Sequence, residues 1–71
     1  MELTEALVTQ EITPFERDRL REALEEEVRR QLPADRQLVR VVDWDPRGGH
    51  TVENAPGMRK YTVAYETEPG D

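Results

Sequence analysis

Seventy-one residues with 16 acidic against 10 basic side chains, a net charge of −6 and no cysteine close off several functions at the outset. A chain this short buries only about 60% of the surface its unfolded form exposes, and without cysteine it has no disulfide, thiolate nucleophile or thiolate metal site to reinforce a thin core. The charge opposes direct binding to nucleic acid and to anionic membranes. A protein partner, or a second copy of the chain, is therefore the expected company.

No apolar run reaches the length of a membrane span, and the opening MELTEALVTQ has neither a basic n-region nor an apolar h-region. The expected location is the cytoplasm, or a particle assembled there. Residues 3–12 carry two patterns. Ala6, Val8 and Ile12 share one face at period two, whereas Leu3, Ala6 and Leu7 would suit a short helix. The strand, running through QEITP into the next element, is the preferred reading.

The stretch TPFERDRLREALEEEVRRQLP predicts an amphipathic helix over about 14–32. Thr13 suits the N-cap, Pro14 the first helical position, and Glu16 the third position of a capping box. Leu20, Leu24, Val28 and Leu32 recur at i+4 as a narrow apolar stripe. Glu25–Arg29 and Glu26–Arg30 are Glu-to-Arg pairs in the favourable order, and Pro33 ends the element. Phe15 lies off the stripe. It either folds back against Ile12 or stays exposed as an aromatic anchor for a partner.

A strand is expected over about 37–44, with Leu38, Val42 and Trp44 on one face and Val39 and Val41 on the other. A second is expected over about 59–67, with Tyr61, Val63 and Tyr65 opposite Lys60, Thr62 and Glu66. Between them DPRGGHTVENAPGM reads as a long loop over 45–58. Its length suggests an interaction arm, with Trp44 near the base and Arg47, His50 and Val52 along it. The fold class expected is a small single-domain α+β protein of β-α-β-β order, a three-stranded antiparallel sheet with one helix across one face and a long β2–β3 loop or arm.

Chemistry-bearing motifs are scarce. Asp43 and Asp45 stand where a calcium loop begins, but its fifth position would be Arg47 and its twelfth Asn54, so no calcium site is expected. Gly48-Gly49 lacks the lysine and helix of a phosphate loop. His50, the single histidine, has no serine or cysteine anywhere in the chain to activate. No catalytic residue, metal or cofactor is therefore assigned.

The β-α-β-β order and the tyrosine-containing last strand resemble dodecins, small flavin-binding proteins that assemble into hollow dodecamers. Dodecins place a tryptophan near the start of the second strand. Trp44 comes at the end of that strand, so no flavin site is carried over.

The leading expectation is a non-enzymatic structural or assembly subunit, such as a small phage or particle component. It would act by oligomerisation or by docking through its sheet and arm. The alternative is an acidic inhibitor or nucleic-acid mimic presenting Glu22, Glu25 and Glu26, with Phe15, to a basic protein, although interspersed arginines dilute that field. A third reading stacks a planar ligand on Trp44, Tyr61 and Tyr65 between subunits.

Overall fold

A computed structural model describes residues 1–52 and 55–70, with side chains described for 1–46 and 56–70. The elements follow in the expected order: β1 (Glu2–Thr9), α1 (Arg17–Gln31), β2 (Arg36–Val52) and β3 (Ala55–Pro69). The three strands form one antiparallel sheet in the spatial order β1-β3-β2. The N-terminal segment is thus a strand, and the α+β class holds.

β3 takes the centre, and its side chains alternate regularly. Tyr61, Val63 and Tyr65 point to one face, and the register sets Ala6 beside Tyr61 on one flank and Trp44 beside Val63 on the other. Leu20, Leu24 and Val28 close over that face, all fully buried, as the i+4 stripe predicts. With Ala6, Val8 and Val41 they form one core cluster, against which Ile12, Ala23, Leu32, Leu38 and Trp44 pack from the margin.

The start of the helix differs from expectation. α1 begins at Arg17, with Glu16 at the N-cap and no side-chain capping bond. Thr13 instead closes a turn, its carbonyl accepting the Glu16 N–H at 3.1 Å. Proline favours the second position of such a turn as much as the first turn of a helix, so Thr13-Pro14 signals either structure. The Glu16 carboxylate, free of any box, takes Arg19 Nη1 at 3.0 Å. Phe15 is carried outward by this turn and is 93% exposed, so packing against Ile12 is not realised. At the other end Leu32 turns extended ahead of Pro33, the conformation proline imposes on its predecessor.

β2 departs furthest from the expected pattern. Its register against β3 shifts between Leu38 and Arg40 and again between Val41 and Asp43. Each shift inserts one unmatched residue, Val39 and then Val42, and each reverses the side-chain parity. Leu38, Val41 and Trp44 consequently serve the core at a spacing of three, which an uninterrupted strand of period two would not give. Val41 is 5% exposed and Val42 41%, the reverse of the uninterrupted alternation expected for them.

The segment expected as a loop over 45–58 is also corrected. Residues 45–52 and 55–58 belong to the two strands, with Val52 opposite Ala55. Pro46 is compatible with strand because β2 lies at the sheet edge. Pro46 faces Tyr61 and Thr51 faces Arg59, so five residue steps on β2 answer two on β3, and the excess of three falls within RGGH. Gly57, at φ +82°, absorbs a left-handed step on the other strand.

Burial leaves a polar group stranded in the core. Tyr61 is fully buried, and its hydroxyl has no hydrogen-bond partner among the described residues. Tyr61→Phe keeps the ring and removes the stranded oxygen, so stability is expected to rise by about 1 kcal/mol. A urea melt decides this, and a lower midpoint would mean that the hydroxyl is satisfied in solution.

Candidate interaction surface

The strand register places two sets of side chains on opposite sides of the sheet. The face away from α1 carries Leu3, Glu5 and Leu7 of β1, Lys60, Thr62, Ala64 and Glu66 of β3, and Arg40, Asp43 and Asp45 of β2. Among the described residues no element covers this face. Leu3 pairs with Ala64 near its middle, 67% exposed, and Val39 and Val42 stand exposed where the bulges release them. Shallow depressions of about 350 and 140 Å³ meet at Leu3 and Thr62, the second bordered by Asp43 and Asp45.

Ion pairs sit on the same face. Lys60 Nζ meets Glu5, and Arg40 Nε meets Glu66. Exposed pairs of this kind add at most about 1 kcal/mol to folding. The face is thus mixed: Leu3 and Leu7 on the edge strand β1 supply its apolar part, and charged side chains of β2 and β3 surround Ala64 and Thr62. The signal for it was present in β1: Leu3 and Leu7 alternate on the side opposite Ala6 and Val8, which makes that strand apolar on both faces.

The residues singled out from the sequence fall into separate places. Phe15 stands alone on the turn before α1. Trp44 is half-buried at the margin of the core, with the Arg17 and Arg21 guanidinium groups 5.1 and 5.4 Å from its ring centroid, close enough for cation–π attraction. Tyr61 and Tyr65 are buried beneath the helix. They therefore form no stacking surface with Trp44, and the planar-ligand reading is corrected on that point. Burial, followed by the charge of Glu2, holds the Tyr65 phenol above its usual range.

Glu22 and Glu26 are exposed and Glu25 half-buried. Arg30 bridges Glu26 and the neighbouring Glu27 at 3.4 and 2.7 Å, so one of these three acids meets an internal cation. Arg47, His50 and Val52 belong to the distal part of β2, and their side chains lie outside the described residues.

Asp43 Oδ1 accepts the Trp44 N–H at 2.9 Å, a local strand contact rather than a ligand position. Among the described residues no three acidic or histidine side chains gather as a metal site. No described helix is long and apolar enough to cross a membrane. No family model matches the chain, and neither a curated protein nor a solved structure is found to be similar to it.

Proposed function

We propose that this chain is a non-enzymatic structural subunit that associates with further copies of itself through the uncovered face of its sheet, with the β2–β3 hairpin as a second docking element. The carrying observation is that face, with Leu3 exposed beside Ala64 and with Val39 and Val42 exposed at the bulges of β2. A domain of this size gains from burying such surface between copies, because association adds to a thin folding margin. The hairpin supports the same reading. β1 ends its pairing at Thr9 opposite Met58, and beyond that level β3 has β2 as its sole strand neighbour among the described residues.

The acidic-inhibitor reading is weaker. A mimic of spaced phosphates needs free carboxylates, and Glu26 and Glu27 share Arg30.

Light scattering after size exclusion tests the proposal. The expected mass is a multiple of 8.3 kDa that persists at high salt, because apolar contact is not screened as charge pairing is. Leu3→Lys should raise the dissociation constant at least tenfold, which is about 1.4 kcal/mol or more, and leave the circular dichroism spectrum unchanged. A mass unaltered by Leu3→Lys would exclude the sheet face as the contact.

A further inference from the structure

We infer that two copies of this chain lock together through Phe15, the phenyl ring of each seating in the groove between β1 and α1 of the other. This rests on the self-association reading above and names a contact for it. The groove holds about 210 Å³, with Val8, Ile12, Ala23 and Met58 among its walls and Glu26 and Glu27 on the helix side. An apolar cavity of about 150 Å³ accommodates benzene, so a phenyl ring fits this space.

The edge of β1 argues for an inserted side chain rather than an added strand. Glu5 and Thr9 turn their carbonyls away from β3. The first accepts Gln31 Nε2 at 2.9 Å and the second the Ile12 N–H at 3.1 Å. By alternation Leu7 alone presents outward backbone groups between those two points. A pairing strand needs a longer free edge than this.

The chain itself carries a matching knob. Of its four aromatic residues, Tyr61 and Tyr65 are buried, Trp44 is half-buried and Phe15 is exposed. Phe15 stands three residues from Ile12, so knob and groove share one region of the surface. A two-fold axis there seats both rings at once, as an isologous interface requires.

Charge agrees with the pairing. Arg17, two residues beyond Phe15, has its guanidinium over Trp44 and no carboxylate within ion-pair distance among the described residues. It would approach a groove flanked by Glu26 and Glu27, whose two charges are only half offset by the Arg30 they share.

The test uses the full chain and three variants: Phe15→Glu, Ala23→Leu, which fills the groove from the helix side, and Leu3→Lys as the control for the sheet face. Phe15→Glu and Ala23→Leu should each lower the oligomer mass measured by light scattering, with circular dichroism unchanged. Because the chain has no cysteine, Phe15→Cys and Ala23→Cys chains can be mixed under oxidation. A disulfide between the unlike chains is expected on a non-reducing gel. Wild-type mass in Phe15→Glu together with reduced mass in Leu3→Lys would overturn this contact and leave the sheet-face reading standing. A monomeric wild type would overturn both. Cross-links between like chains only, or none, would also overturn the Phe15 contact.

Discussion

Leu24→Ala is expected to leave most of the chain unfolded at room temperature. Leu24 is fully buried midway along the stripe from Leu20 to Val28, over the face that carries Tyr61 and Val63. Truncating a buried leucine removes its transfer free energy and leaves a cavity, for a total of about 2–5 kcal/mol. A core of this size supplies a net margin of roughly 3–5 kcal/mol, so one substitution can consume it. Val39→Ala, at an exposed bulge position, is the matched control and should stay within about 0.5 kcal/mol in protein dilute enough not to associate, since Val39 belongs to the face proposed to dock. Urea denaturation followed by the helix signal would report both. A loss under about 1 kcal/mol at Leu24 would be incompatible with a helix docked through this stripe.

That prediction could have been written from the sequence, because the i+4 spacing of Leu20, Leu24 and Val28 has one structural solution once the helix lies on a sheet. The alternation of Tyr61, Val63 and Tyr65 is equally legible. Both patterns are periodic, and in each the burial of one face determines the register.

What the sequence concealed is aperiodic. Thr13, Pro14 and Glu16 satisfy the chemistry of a capping box and also that of a turn, and nothing in their identity chooses between them. The turn places Phe15 in solvent, and from composition alone Phe15 looks like core. Pro46, Gly48, Gly49, Pro56 and Gly57 read as strand breakers, yet an edge strand tolerates proline and a bulge recruits glycine. Those residues therefore mark irregular strand as readily as loop.

The face proposed to dock was only half visible for a related reason. Leu3 is an ordinary leucine until β1 is known to have both Ala6 and Val8 on its other side. The groove that Phe15 matches is assembled from residues between Leu7 and Met58, which no local window contains.

Val41 and Val42 supply the sharpest test of the fold itself, because simple alternation and the bulged register predict opposite outcomes. If β2 alternated without interruption, Val42 would share the core face with Leu38 and Trp44, and Val41 would point away. The two register shifts instead send Val41 inward beside Tyr65 and leave Val42 outside. Val41→Asp then places a carboxylate in a buried position of the core, an expected loss of about 3 kcal/mol or more. Val42→Asp puts the same charge into water and should cost less than about 1 kcal/mol. Both should be measured by urea denaturation at protein concentrations low enough that association does not contribute, since Val42 borders the sheet face proposed to dock. Equal losses, or a larger loss at Val42, would mean that the bulges are misplaced. In that case Val42 would leave the open face, and the docking surface would have to be redrawn around Leu3 alone.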